Sequence, residues 1–422
     1  DLVRYDGTKS DHRATLLKTD GTVLTELDPT AGTDQLRDLE SANGLLRSAD
    51  LNGDGYPDVV SGVYTVLSKE GRYDDATNPE NTPQRYWNGP MPRDVVAFDY
   101  DGDTDMDLIV LTVEGALYIV PNDGSGIFSR LTQERFRANS NVGTLETLEA
   151  TRTSTPRMIA FRNGGVAIAH EGAVRYYTYN GGTGLFSTVM TISKSGETVL
   201  DMKTINLNGK YDEAESLVVL WSNNDVDIST VTSAQGTGGT RTFTKVGNAQ
   251  RLAVGNFLGD APYTTTEHLG LTNNAGAVQN PNLDDPRSPD IALIQSDGQV
   301  FLIEGYSDTN RNTVRDNMVL YSAGTATALD LKGGNTKFDF GDTRTITAVD
   351  AHDINGDGLD DLALGFEDSA NTVYRSIVYF STGKASPTPA DLKLYEKKLS
   401  PNSDGAGTGV TKDTASTRRV LL

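Results

Sequence analysis

The chain has 422 residues, of which 36% are apolar and a further 43 are glycine, so it holds enough apolar material for a folded core. Its formal net charge of −21 argues against nucleic acid or an anionic membrane surface as a direct partner. It contains no cysteine, which excludes a disulfide framework, a cysteine nucleophile and a thiolate zinc site.

The first residues are typical of β-structure. Strand-like runs at 2–5, 14–17 and 22–27 are separated by Asp-Gly turns at 6–7 and 20–21. We expect three short strands here, and a small sheet built from them needs a fourth strand from elsewhere in the chain.

A nine-residue acidic pattern then occurs three times. It reads DLNGDGYPD at 50–58, DYDGDTDMD at 99–107 and DINGDGLDD at 353–361. Oxygen side chains at positions 1, 3 and 5, a backbone carbonyl at 7 and a carboxylate at 9 supply the roughly six to eight oxygen ligands that Ca²⁺ prefers. The candidate calcium ligands are Asp50, Asn52, Asp54, Tyr56 and Asp58; Asp99, Asp101, Asp103, Asp105 and Asp107; and Asp353, Asn355, Asp357, Leu359 and Asp361.

These segments are not EF-hands, because position 12 holds Ser61, Val110 and Leu364 where an EF-hand needs a bidentate Glu. A short apolar run precedes each pattern and another follows it, which predicts a metal loop joining two antiparallel strands. In the second loop Thr104 replaces the glycine of position 6, so we expect strain there, since that position favours a positive φ.

This arrangement resembles the FG-GAP/VCBS-type calcium repeats of integrin alpha-subunit propellers and bacterial surface proteins. The resemblance implies an all-β fold, a β-propeller whose blades are four-stranded antiparallel sheets with a calcium loop between the first two strands. It also implies Ca²⁺ as the cofactor, with three sites.

Weaker copies of the repeat, which lack some or all of the metal-binding oxygen side chains, lie at 157–169, 206–221 and 252–294. Repeats therefore begin near residues 50, 99, 161, 206, 256 and 353. With the N-terminal strands this predicts seven blades, or six if those strands do not form one. We expect the propeller to span 1–399, with insertions at 69–92 and 260–289 where recognition loops are commonly placed.

The end of the chain, 400–422, reads as a linker or tail with a final short strand. It either closes the ring or joins another domain or subunit.

A weaker metal candidate lies earlier in the chain. It has only two carboxylates and no glycine at position 6, so a polar surface turn is an equal alternative to a fourth Ca²⁺ site. Its residues are Asp308, Asn310, Asn312, Val314 and Asp316.

Two aromatic residues in the first insertion, Tyr86 and Trp87, are candidate ligand contacts, because sugars stack on exposed aromatic rings; packing of the loop is the alternative. No catalytic constellation is present: the four histidines, His12, His170, His268 and His352, form no H-x-H or H-E-x-x-H spacing.

We therefore expect a calcium-stabilised module of a larger surface protein, used in adhesion, assembly or glycan recognition, with a protein or glycan as partner. A lyase-like enzyme or a filament subunit is the alternative. Loops of this kind fill where free Ca²⁺ is millimolar, which favours an extracellular or cell-surface location. No run of about eighteen apolar residues occurs, so we expect no membrane insertion here and any signal peptide or anchor to lie outside this sequence.

Overall fold

The structure is a computed structural model. It describes residues 2–8, 11–19, 24–26, 46–68, 83–90, 92–112, 116–128, 134–136, 157–161, 165–170, 172–180, 183, 185–205, 215–230, 240–243, 249–257, 289–295, 300–305, 318–320, 344–352, 359–368, 375–380, 393–398 and 416–421.

The elements of the described residues are all β-strands. The first half of the chain contains β1 (Leu2–Thr8), β2 (Asp11–Thr19), β3 (Leu24–Glu26), β4 (Leu46–Ala49), β5 (Asp58–Ser61), β6 (Tyr64–Val66), β7 (Gln84–Arg85), β8 (Pro92–Phe98), β9 (Asp107–Thr112), β10 (Leu117–Val120), β11 (Glu134–Phe136), β12 (Arg157–Phe161), β13 (Gly165–His170), β14 (Ala173–Asn180) and β15 (Leu185–Ser193). The second half contains β16 (Val199–Ile205), β17 (Ser216–Trp221), β18 (Val226–Thr230), β19 (Thr240–Phe243), β20 (Ala249–Gly255), β21 (Asp290–Gln295), β22 (Val300–Gly305), β23 (Met318–Leu320), β24 (Arg344–His352), β25 (Asp361–Asp368), β26 (Arg375–Phe380), β27 (Lys393–Lys398) and β28 (Ser416–Leu421).

These strands form sets of four, which we call units. Units 2 to 6 are separate four-stranded antiparallel sheets in chain order, β4–β7, β8–β11, β12–β15, β16–β19 and β20–β23. The remaining strands form one eight-stranded sheet that divides into unit 1 (β28, β1, β2, β3) and unit 7 (β24–β27). Among the described residues, the two halves pair only at Glu367 and Ser416.

The last strand thus pairs with the first. β28 runs antiparallel to β1, with Val3 opposite Leu421 and Gly7 opposite Ser416. Of the two roles that the sequence left open for the C-terminal strand, this pairing corresponds to closing the ring.

The first strands of the units form a closed circuit of contacts. β28 contacts β4, β4 contacts β8, and the series continues through β12, β16, β20 and β24 back to β28. Small antiparallel sheets arranged around such a circuit are the architecture of a β-propeller.

Apolar cores lie between successive units, and the two-residue period of a strand divides each middle strand between two of them. In β9, Leu108 and Val110 pack towards unit 2, whereas Ile109 and Leu111 pack towards unit 4. All six residues of β9 are buried, and so are all six of β17. A strand covered on both faces needs a continuous apolar run, which is the pattern that the sequence shows.

Two buried aspartates connect neighbouring units near the start of their first strands. Asp94 lies at an irregularity of β8 and accepts a 2.9 Å hydrogen bond from the backbone N–H of Met158 in unit 4. Asp201 in β16 accepts an equivalent 3.1 Å bond from Leu252 in unit 6. These bonds hold adjacent first strands in register.

No helix of the described residues has the length and apolar character needed to cross a membrane.

Removal of the closing strand tests its role. Deletion of residues 414–422 should lower the free energy of unfolding by about 3 kcal/mol or more, because it breaks several ladder hydrogen bonds to β1 and leaves a sheet edge open. Urea denaturation measures the loss, and deletion of Leu422 alone, which lies outside β28, is the control. Equal stability of the two truncated proteins would contradict a ring-closing role.

Candidate metal centre in the hairpin loops

Each acidic loop ends in a buried aspartate at the first residue of the second strand. Asp58 is 0% exposed, Asp107 is 1% exposed, and Asp361 occupies the same place in unit 7 at 0%. Asp290 takes the corresponding position in unit 6 and is also buried. The ninth position of the repeat therefore lies in the protein interior, whereas positions 3 to 8 of the first two loops are partly or fully exposed.

Both carboxylate oxygens of this aspartate accept backbone N–H groups. Asp58 accepts from Leu51 in the loop and from Ser68 beyond the third strand, each at 2.7 Å. Asp107 accepts from Tyr100 at 3.2 Å and from Asn122 at 2.7 Å. Through these two hydrogen bonds the aspartate fixes the loop to the segment that follows the third strand.

The first aspartate folds the loop around itself. Asp50 accepts the N–H of Asp54 at 3.1 Å and of Gly55 at 2.8 Å. Asp99 accepts the N–H of Gly102 at 2.7 Å and of Thr104 at 3.0 Å. In each loop these bonds fold the backbone back onto the carboxylate of position 1.

The backbones of the two loops match. Positions 4 and 6 have positive φ in both: 70° and 86° at Gly53 and Gly55, and 83° and 80° at Gly102 and Thr104. Thr104 therefore adopts the left-handed conformation that a β-branched residue tolerates poorly, as the sequence predicts.

Three carboxylates converge in the second loop. Oxygen atoms of Asp99, Asp101 and Asp107 lie within 4.8 Å of one another, the one such group of acidic side chains or histidines among the described residues. Ligands that each lie about 2.4 Å from a Ca²⁺ ion are separated by at most about 4.8 Å, so this spacing fits a hard divalent cation.

The electrostatics of both loops oppose a full set of ionised carboxylates. Burial raises the pKa of Asp58 to about 6, against the lowering effect of the Ser68 and Leu51 N–H groups, and the charges of Asp54 and Asp50 raise it further. Burial raises the pKa of Asp107 to about 7, and Asp101 and Asp103 add to the effect. A bound cation would remove that repulsion.

Asn122 connects the first two loops, and the sequence analysis did not identify it. Its side-chain amide donates to the carbonyl of Leu51 at 2.7 Å and to that of Met106 at 3.0 Å. Its side-chain oxygen accepts the N–H of Asp123 and of Gly126. The only sequence signal is a polar, glycine-rich turn at 122–126 after an apolar strand.

Part of the predicted site set lies outside the described residues. This applies to Asp353, Asn355 and Asp357 of the third loop and to the whole weaker candidate at 308–316. Leu359 and Asp361 are described, and the neighbouring Asp360 accepts the N–H of Asn256 at 2.7 Å. That bond connects the start of the unit 6 loop with the end of the unit 7 loop.

Tyr86 and Trp87 are core residues. Tyr86 is 1% and Trp87 0% exposed, and both belong to the cluster between units 2 and 3. The Tyr86 hydroxyl donates to the carbonyl of Gly62 at 2.7 Å, and the Trp87 indole donates to that of Pro90 at 2.6 Å. Neither ring presents a face for a sugar, which corrects their assignment as ligand contacts in favour of packing.

The described residues contain one groove beside these rings. It has a volume of about 550 Å³ and lies between β6, β7 and the segment 127–128. Ile127 at its edge is 56% exposed.

The comparisons with known proteins gave distant similarities to solved structures. No protein-family model matches the chain, and no curated protein matches it. Among solved structures, Sqt1 of Saccharomyces cerevisiae shares 12% identity at a TM-score of 0.40, covering 80% of this chain and 84% of that one. BBS1N in complex with ARL6DN shares 10% at 0.42, covering 87% and 95%. The WD40 domain of SCAP from fission yeast shares 9% at 0.37, covering 82% and 72%. At these values the similarities carry no argument about function.

The strain at position 6 of the second loop can be relieved. Thr104→Gly should stabilise the protein by about 1 kcal/mol, because glycine adopts a positive φ without strain. The reciprocal change Gly55→Thr should destabilise it by a similar amount, since the space around Gly55 is open and only the backbone conformation opposes the new side chain. Urea denaturation of both variants measures the effect, and a loss of stability in Thr104→Gly would contradict the shared loop geometry.

The raised pKa values set the pH dependence of the metal-free protein. Since Asp58 and Asp107 titrate near 6 and 7 in the folded protein against 3.8 ordinarily, their contribution to stability is complete below about pH 4 and is lost as the pH rises through 6 to 7. In calcium-free buffer the melting temperature should fall between pH 5 and about pH 8.

The control is Asp107→Asn, which removes one of the two titrating groups and should reduce the slope of melting temperature against pH. A melting temperature that rises over this range, or an unchanged slope in the variant, would contradict the electrostatic account.

Proposed function

We propose that the chain is a calcium-stabilised β-propeller of the FG-GAP/VCBS type and that it serves as an adhesion, assembly or glycan-recognition module of an extracellular or cell-surface protein. The observation that carries the metal assignment is the convergence of Asp99, Asp101 and Asp107 in a loop whose ninth-position carboxylate is buried. The ion would be held by oxygen ligands alone, which is the chemistry of Ca²⁺.

Two further features support calcium in the first loop. Its backbone repeats that of the second loop at both positive-φ positions, and Asp58 makes the same pair of backbone contacts as Asp107. The third loop has the same nine-residue spacing in sequence, so three Ca²⁺ ions are proposed for the chain. A fourth, at Asp308 to Asp316, rests on sequence spacing alone.

We infer that each four-stranded unit is one blade, which gives seven blades. The closed circuit of first-strand contacts and the pairing of β28 with β1 support this count. In this arrangement the loops between first and second strands lie on one face. The contacts of Asn122 with Leu51 and Met106, and of Asn256 with Asp360, join such loops in neighbouring units.

A binding role fits this architecture better than catalysis. The described residues place their buried acidic side chains in backbone contacts and ion pairs that hold hairpins and units together. A rigid ring with variable connecting loops is a scaffold on which recognition surfaces are commonly built. The partner would be a protein or a glycan outside the cell.

Calcium titration tests the metal assignment. Isothermal titration of chelator-treated protein should show Ca²⁺ binding, and Ca²⁺ should raise the melting temperature. Asp101→Ala removes the ligand at position 3 and should weaken binding at the second loop by about tenfold or more.

The matched control is Asp105→Ala in the same loop. It makes the same change of charge, but position 7 binds through its backbone carbonyl, so the loss should be no more than about threefold. Equal losses in the two variants, or a melting temperature that a chelator leaves unchanged, would overturn the calcium assignment.

The binding role has its own test. A screen of glycans and anionic polymers, with Ca²⁺ and with EDTA, should detect a ligand that is bound without release of new reducing ends or unsaturated sugars. Calcium-dependent product formation would favour the lyase-like alternative, and concentration-dependent self-association without any ligand would favour a filament subunit.

A further inference from the structure

The strands that form the inner ring carry a net positive charge, although the protein as a whole is acidic. The seven first strands carry eight arginine or lysine residues and three aspartates, a net charge of +5, whereas the whole chain carries −21. Every first strand has at least one basic residue; those of units 2 to 7 are Arg47, Arg93, Arg157, Lys203, Arg251 and Arg344. The rest of the chain therefore carries −26.

The basic residues lie towards the end of the ring away from the acidic loops. In units 2 to 7, all of them except Lys203 fall within the first three residues of their strand. The acidic loops follow the last residue of the same strands, as at Asp50 after β4 and Asp99 after β8. Along the axis, the acidic loops therefore lie at one mouth of the ring and most of the first-strand cations lie towards the other, together with the buried Asp94 and Asp201.

One ion pair joins two first strands that are not neighbours in the ring. Lys203 of β16 lies 3.5 Å from Asp350 of β24, and both side chains are partly exposed. Unit 6 stands between the units that contain these strands, so the two side chains meet across the inner edge of β20.

The remaining described cations are also half-buried beside the axis. Arg47 forms an ion pair with Asp94 of the next unit. Arg93 and Arg251 are partly exposed on β8 and β20. Arginine in such a setting is suited to oxyanions, because its planar guanidinium donates paired hydrogen bonds to carboxylate, sulfate or phosphate.

We propose that the axial opening opposite the acidic loops is a binding site for a compact polyanion, a ligand that carries several sulfate, phosphate or carboxylate groups. Cations distributed around a closed ring can contact several anionic groups at once, and the low-dielectric walls of the opening strengthen the field that they produce. This goes beyond the proposed function, because the site depends on the ring of first strands and not on calcium.

Sucrose octasulfate is a suitable probe, since it is compact and multiply charged. Isothermal titration at low ionic strength should show binding both with Ca²⁺ and in EDTA, much weaker binding of inorganic sulfate, and none of sucrose. Arg93→Gln and Arg251→Gln should each reduce the affinity by about fivefold or more, as expected for loss of a charge-assisted contact. Because the binding persists in EDTA, failure of the calcium assignment would leave this result in place.

Arg85→Gln is the matched control, as it removes the same charge from the outer strand β7. Its effect should stay within about twofold. An equal loss in this control, equal affinity for inorganic sulfate, or no binding of the octasulfate would overturn the proposal.

A measurement on the unmodified protein keeps the test decisive if a variant does not fold. Sucrose octasulfate should protect arginines of the first strands from phenylglyoxal, as mapped by peptide mass spectrometry, and should leave Arg85 reactive. Uniform protection, or none, would overturn the assignment.

Discussion

A buried carboxylate at the start of the second strand is the interaction on which the hairpin corners depend. Asp58 and Asp107 each hold two backbone N–H groups that come from separate parts of the chain. Burial of an ionised group is costly, and hydrogen bonds offset only part of that cost, which is why both pKa values remain raised. The proposed Ca²⁺ supplies the positive charge that backbone dipoles alone do not, so the metal and the hairpin stabilise the same corner.

Buried aspartates also accept backbone hydrogen bonds between units. Asp94 and Asp201 use a carboxylate oxygen to accept an N–H from the first strand of the next unit, where no strand pairing joins the two sheets. Apolar cores between units are non-directional, whereas these bonds fix the height of one first strand relative to its neighbour. Acidic residues therefore determine geometry both within a hairpin and around the ring.

The sequence predicted the strands and loops well because those signals are local. Alternating or continuous apolar runs and a fixed ligand spacing are contained in a few neighbouring residues, as at 99–107. The contact between Asn122 and Leu51 joins residues 71 positions apart, so no local sequence pattern predicts it. Tyr86 and Trp87 were misassigned for the same reason: their burial depends on Phe128 and Tyr118 of the next unit, which pack edge-on against the two rings.

Asn122 also makes the first two loops interdependent. Its side-chain amide donates hydrogen bonds to the carbonyls of Leu51 and Met106, and its backbone N–H donates one to the carboxylate of Asp107. A cation that draws Asp107 towards Asp99 and Asp101 therefore acts on a residue that also positions the first loop. The apolar core between the two units is closely packed and resists small displacements. The hydrogen bonds of Asn122 are therefore the more direct connection between the two loops. We therefore propose that the first two loops form one coupled metal centre and not two independent repeats.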